Sequence, residues 1–229
     1  MRLRSFAKAA AAVAVASVAV LGATITAGAD EGSLDGGGSV GIGVGVTVSQ
    51  PPDLYFEVDA SAGITLTEGT PTATLRTWSG SIPQVAVYDT RDSWNPGVDY
   101  WCVMGSVDGI EKSTDGGVTF APTTDVIPDW FGWTPVLTDD GGLPGLVFAG
   151  DEVVGTLDIP TIPGNNVGLG EKTYPYTGEL LFASIDPENT SVADTTGDFL
   201  VDATLFLHAP KAVPRGDYSA VLTLSLFEE

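Results

Sequence analysis

The sequence predicts an all-β fold: a single antiparallel β-sandwich, Ig-like or jelly-roll-like. Three observations lead there. Apolar and polar residues alternate with a period of two over long stretches, most clearly at 201–207 and 218–226. Turn formers punctuate the chain, with 29 Gly and 15 Pro, so strands are expected to be many and mostly short. Beyond residue 29, no stretch repeats its apolar residues at helical spacing.

The sandwich is expected to begin near residue 40. Residues 1–29 read as a cleaved secretory signal peptide. Arg2, Arg4 and Lys8 form its cationic start, an Ala-rich apolar run follows to about Leu21, and Ala27-Gly28-Ala29 supplies small residues for cleavage before Asp30. The run is shorter and less apolar than the ~20 residues a membrane span needs. No later stretch is apolar and long enough to act as a transmembrane anchor of the mature chain. Residues 30–39, DEGSLDGGGS, read as a flexible leader, and 40–229 as one domain. The expected location is secreted, extracellular or associated with the cell wall.

Loss of the three leader cations moves the formal net charge from −21 to −24. So acidic a surface repels nucleic acid and anionic lipid, and keeps the chain soluble. Cys102 is the only cysteine, which excludes an internal disulfide. An exported chain without disulfides fits a bacterial surface, and its stability must come from a core.

Taken in order, Val40-Gly-Ile-Gly-Val-Gly-Val-Thr-Val alternates glycine with apolar residues and reads as a strand that ends at Pro51-Pro52, its glycines explained by an open sheet edge or by a close-packed neighbour. Leu54–Val58, Ile64–Thr67 and Thr72–Trp78 are short strands. Val85–Asp89 and Tyr100–Met104 flank DTRDSWNPGVD and read as a hairpin closed around Asn95-Pro96-Gly97. Residues 108–145 are the least regular, with turn clusters at Asp115-Gly116-Gly117 and Asp139-Asp140-Gly141-Gly142. Strands resume at 146–149, 153–157 and 180–185. The last two strands put Val201, Ala203, Leu205 and Leu207 on one face, and Tyr218, Ala220, Leu222, Leu224 and Leu226 on one face. They read as a second hairpin across the Ala209–Asp217 turn.

The final strand resembles the distal motif of WxL-domain proteins of Gram-positive bacteria: Tyr, three variable residues, Leu-Thr-Trp, one variable residue, Leu. Tyr218, Leu222, Thr223 and Leu226 fit, and Leu224 stands at the Trp position. Asp89-Thr90-Arg91, a loop and then Trp101-Cys102-Val103 resemble the proximal motif, with Val103 where Leu is usual. The Pro51–Phe56 stretch loosely resembles the family's early strand. The resemblance covers most of 40–229. It implies a secreted all-β module that attaches non-covalently to the cell wall through peptidoglycan. The alternatives are a structural or adhesive subunit that meets other surface proteins through its sheet edges, and a secreted glycan hydrolase.

Candidate wall- or glycan-binding residues are Trp94, Trp101, Trp130, Trp133 and Tyr218, since aromatic rings stack on sugar faces; such rings more commonly pack the core. Trp101, set among apolar neighbours, is expected to point inward. Asp194 and Asp198, with Asp202 nearby, are hard oxygen ligands of the type calcium takes, but their spacing fits no known calcium loop. No cofactor is expected. Arg215-Gly216-Asp217 reads as a turn rather than a recognition tripeptide. The sequence lacks a Gly-x-Ser-x-Gly elbow, a His-Glu-x-x-His pair and a phosphate-binding loop, so a binding module is expected rather than an enzyme.

Overall fold

The computed structural model describes residues 39–45, 54–58, 63–91, 101–157, 168–170, 178–184 and 197–228. Two predominantly antiparallel sheets pack face to face as an all-β sandwich. Its strands are β1 (Ser39–Gly45), β2 (Leu54–Val58), β3 (Ile64–Glu68), β4 (Leu75–Asp89), β5 (Trp101–Ser113), β6 (Phe120–Pro122), β7 (Phe131–Asp139), β8 (Val147–Ala149), β9 (Glu179–Ser184), β10 (Gly197–Pro210) and β11 (Tyr218–Glu228). Among the described residues, one 3-10 turn, at Pro128–Trp130, precedes β7.

The hydrogen-bonded path runs β7-β10-β4-β3-β1-β11-β5-β9-β8. Strand β2 pairs with the C-terminal half of β4, and β6 extends β5. Strand β3 links the two halves of the path, because it pairs with β4 through Thr67–Glu68 and with β1 through Ile64–Thr67. Val153, just beyond β8, exchanges backbone hydrogen bonds of 2.9 and 3.0 Å with Trp133 of β7, at the other end of the path. The sandwich is therefore stitched on both sides.

Period-two alternation has the expected physical consequence. Val201, Ala203, Leu205 and Leu207 of β10 are buried, as are Tyr218, Ala220, Leu222 and Leu224 of β11. Their neighbours Asp202, Thr204 and Val221 lie outside. Strand β4 is longer than expected: the segments around 75–78 and 85–89 are one strand of 15 residues. Pro83 is tolerated within it because the pairing with β10 shifts there, between Val201 and Ala203. At such an irregularity a residue without an N–H breaks no ladder bond.

Four expectations are corrected. The predicted hairpin of 85–89 with 100–104 does not form: β4 pairs with β10, β2 and β3, whereas β5 pairs with β11, β9 and β6. Its Asn95-Pro96-Gly97 turn lies outside the described residues. The second predicted hairpin fails in the same way, since β10 pairs with β4 and β7, and β11 with β5 and β1. In both cases consecutive strands cross from one sheet to the other. Each strand has a buried apolar face, and crossing lets those faces meet through the core instead of lying side by side. The third concerns the glycine-alternating strand, which is no edge: β1 lies between β3 and β11. The fourth concerns 108–145, which is more regular than its turn formers suggest, because β5 continues to Ser113 and β7 occupies Phe131–Asp139.

Two tryptophans bridge the sheets. The Trp101 ring, from β5, meets Phe182 of its neighbour β9 edge-on at 5.2 Å and Phe199 of the opposite sheet at 5.6 Å. Trp133 reaches the other way, from β7 to β5. A Cβ on Gly105 would lie 2.5 Å from Trp133 Cη2 and 2.9 Å from Leu224 Cδ2. Only glycine leaves room there. Gly105→Ala forces the indole or Leu224 to move, and overpacking of this kind costs about 1–3 kcal/mol. For a domain of this size the melting midpoint should fall by about 2–4 °C per kcal/mol. Differential scanning calorimetry checks this; an unchanged midpoint would show that Trp133 does not pack against β5.

Candidate functional site

The two motif segments lie more than a hundred residues apart in the chain, and the fold sets the Trp101–Val103 part of the first beside the second, whereas Asp89–Arg91 lies at the end of β4, which does not pair with β11. Strand β5 carries Trp101-Cys102-Val103, and β11 carries Tyr218 to Leu226. Their register pairs Val103 with Leu226, Cys102 with Phe227 and Lys112 with Tyr218. The side chains, however, point mainly into the core. Trp101, Trp133 and Leu222 are 0% exposed and Tyr218 is 5%. Leu226 is half-buried against the core, and Thr223 is half-buried. A sugar ring cannot reach a fully buried indole, which corrects the assignment of Trp101 and Trp133 as ligand contacts. The inward placement of Trp101 agrees with its apolar surroundings in the sequence.

Leu224 occupies the position where the resembled motif has Trp, and it is fully buried. Trp133 and Leu224 converge on Gly105 from different strands. The volume a tryptophan on β11 would need is thus taken up by a tryptophan on β7.

Burying two indoles has a cost. Trp101 Nε1 and Trp133 Nε1 find no hydrogen-bond partner among the described residues. An unsatisfied buried donor costs about 1–3 kcal/mol. A Trp side chain buries some 150–250 Å², and at ~25 cal/mol per Å² that burial contributes roughly 4–6 kcal/mol. Burial wins at both positions. The Trp101 backbone is satisfied by the buried Ser184: its N–H donates to Ser184 Oγ at 2.9 Å.

Tyr218 is held by polar contacts at the start of β11. Its hydroxyl donates to the carbonyl of Pro214 at 2.7 Å, four residues upstream. This is the arrangement of a tyrosine corner, which pins an inter-sheet connection to the strand it feeds. Lys112 Nζ lies 5.2 Å from the ring centroid and 2.8 Å from Asp125 Oδ2. The hydrogen bond from Lys112 lowers the Asp125 pKa, and the bond to Asp125 raises that of Lys112. Burial raises the Tyr218 phenol. These contacts identify a structural corner. The sequence held a hint of it in the placement of Tyr218 directly after a turn.

Asp89 and Arg91 form a buried ion pair at the end of β4. Arg91 Nε donates to Asp89 Oδ1 at 2.8 Å and Nη2 to Oδ2 at 2.6 Å, with the aspartate side chain 1% exposed. The fork geometry suits arginine and would be lost with lysine. Thr90, between them, is exposed.

Trp130 is half-buried in the 3-10 turn and packs on the core through part of its ring. Phe131, within the stretch read as least regular, is a buried residue of β7. Trp94 and Asp194 lie outside the described residues. Asp198 is exposed, and Asp202 accepts from Gln84 Nε2 at 3.2 Å on the outer face of β10. No group of three metal-ligating side chains occurs among the described residues. Asp217 is 95% buried, so Arg215-Gly216-Asp217 does not present its carboxylate. Cys102 is half-buried, and burial pushes its thiol up to about 11, which keeps it protonated and unreactive.

Sequence reasoning missed the order within the loop after β5. Asp115 Oδ1 accepts from the Ser113 hydroxyl at 2.9 Å, from Val118 N–H at 3.2 Å and from Thr119 N–H at 2.7 Å. Ser113 Oγ in turn accepts from Gly117 N–H at 2.7 Å. Gly116 and Gly117 adopt φ of 76° and 89°, which other residues rarely tolerate. The signal was present as Ser, Asp and Gly at alternate positions, 113, 115 and 117.

No protein-family model, curated protein or solved structure matches the chain.

Two outcomes test this geometry. Arg91→Ala leaves the Asp89 carboxylate buried without its fork, and breaking such a pair costs about 3–5 kcal/mol. Replacing both residues by leucine should recover much of that loss, as read by urea unfolding. The second outcome concerns pH. The hydrogen bonds, led by that from Thr119 N–H, lower the Asp115 carboxyl from 3.8 to about 2. A depressed folded pKa adds stability that is present above the unfolded value and lost as pH falls through the folded one. The Thr119 amide signal should therefore titrate near pH 2 in NMR spectra; a midpoint near 3.8 would show that the loop bonds do not hold the anion.

Proposed function

We propose that the chain is a secreted surface module that attaches non-covalently to the bacterial cell wall, with peptidoglycan as its ligand. The observation that carries this reading is the β5–β11 pairing. Two short segments that resemble the proximal and distal WxL motifs, at 89–103 and 218–226, contain neighbouring hydrogen-bonded strands. The expected signal peptide supports export, and the acidic surface disfavours a nucleic-acid or anionic-lipid partner.

In this reading the motif residues build the module, and other residues touch the wall. Trp94, in the polar stretch of sequence between β4 and β5, and the half-exposed Trp130 are the aromatic contacts assigned to glycan. The module binds without cutting its ligand and without calcium.

Co-sedimentation of the mature protein with purified peptidoglycan tests the proposal. Enrichment over an acidic control protein of similar charge is expected, unaffected by a calcium chelator and accompanied by no release of sugar fragments. Absence of enrichment would overturn wall attachment, and fragment release would favour the hydrolase alternative. Trp101→Ala separates core from contact. It should cost about 3–5 kcal/mol through the cavity it leaves, and reduce binding only as far as it unfolds the chain. Trp130→Ala should reduce binding with a much smaller change in melting midpoint.

A further inference from the structure

Strand β1 is held differently from every other strand. It is the first described strand, and it lies inside the sheet, antiparallel to β3 and parallel to β11. Its register sets Val40 opposite Leu66, Ile42 opposite Ile64 and Ala220, and Val44 opposite Leu222. All four partner residues on β3 and β11 are buried. Withdrawing β1 would therefore open a strand-wide slot floored by buried apolar residues, with unpaired backbone groups along both walls. Only another strand can satisfy both.

Three features make that withdrawal feasible. The strand precedes every other described strand in the chain, so it can leave without unthreading a described element. Its bond to β11 is parallel, the slightly weaker form of pairing. Its alternate positions, Gly41, Gly43 and Gly45, carry no side chain, so nothing on that face ties it to one particular copy.

We propose that β1 is an exchangeable strand: it leaves its own sandwich and completes that of a second copy of this chain. The contacts broken and made are the same ones, so the exchange balances except for the linker and the charge. Residues 46–53, extended, reach roughly 30 Å, far enough to enter a neighbouring molecule. The net negative charge opposes the meeting of copies, so exchange should speed up with salt. The inference is independent of wall attachment.

Disulfide trapping tests it. Two versions of the mature chain, both carrying Cys102→Ser, are prepared with Gly43→Cys or with Val221→Cys; these positions are register partners, and Val221 is exposed. Each version has one thiol. They are mixed at high concentration in high salt, warmed below the melting midpoint, cooled and oxidised. A covalent heterodimer is expected, well above that formed when Thr204→Cys, on the exposed face of the other sheet, replaces Val221→Cys. A second arm does not depend on the Gly43→Cys chain folding: a synthetic peptide of residues 39–48 carrying Gly43→Cys is offered to the Val221→Cys chain. Capture by Val221→Cys and not by Thr204→Cys is expected. Capture no greater than the control in both arms would overturn the proposal.

Discussion

Two sheets cannot pack with a hollow between them, and here two indoles fill that space from opposite sides. Trp101 extends from β5 to Phe199 of β10, and Trp133 extends from β7 to Gly105 of β5. Each is fully buried, and each spends an indole N–H without a protein partner among the described residues. The arrangement explains several otherwise unconnected features. Gly105 is needed to receive one ring. Leu224, rather than a larger residue, fits beside it. Ser184 supplies the hydrogen bond that the Trp101 backbone requires.

The polar groups nearest this core hold its borders. The Asp89–Arg91 fork closes the end of β4, and the Tyr218–Pro214 bond closes the start of β11. Both sit where the chain leaves one sheet for the other. A chain without disulfides has few other means of fixing such crossings, since hydrophobic burial favours closeness without specifying a path. The motif residues are therefore intelligible as architecture, and any ligand contact falls to the residues around them. Fold and function are separable on sandwiches in general.

The fold class, most strand positions and the buried faces were legible in the sequence because alternation reports which side of a strand meets the core. Val201 to Leu207 and Tyr218 to Leu224 illustrate this. Partnership was not legible. Alternation is identical whether β10 pairs with β11 or faces it through the core, and the Ala209–Asp217 connection suits either. For the same reason the glycines of β1 suited either a bare edge or a close-packed neighbour, and only the fold shows that the strand is interior. At the candidate site, the inward aim of Trp101 could be read from Tyr100, Cys102 and Val103 beside it. That of Trp133 could not, because Pro128, Asp129 and Gly132 disguised the start of β7 as a loop. The loop bonds of Asp115 and the fork of Asp89 with Arg91 are local, spanning two to four residues, and their spacing was present in the sequence; what alternation did not report is that the Asp89 carboxylate is buried.

The account rests on the two indoles being core rather than site. Hydrogen exchange at Trp101 Nε1 and Trp133 Nε1, followed by NMR under native conditions, measures this most directly. A fully buried group exchanges only when the structure opens around it. The account predicts that both indole protons exchange solely through global unfolding, with protection that matches the stability from denaturant melts, and that their signals do not move when soluble peptidoglycan fragments are added. Exchange through local opening, or a shift of either signal on ligand addition, would contradict it.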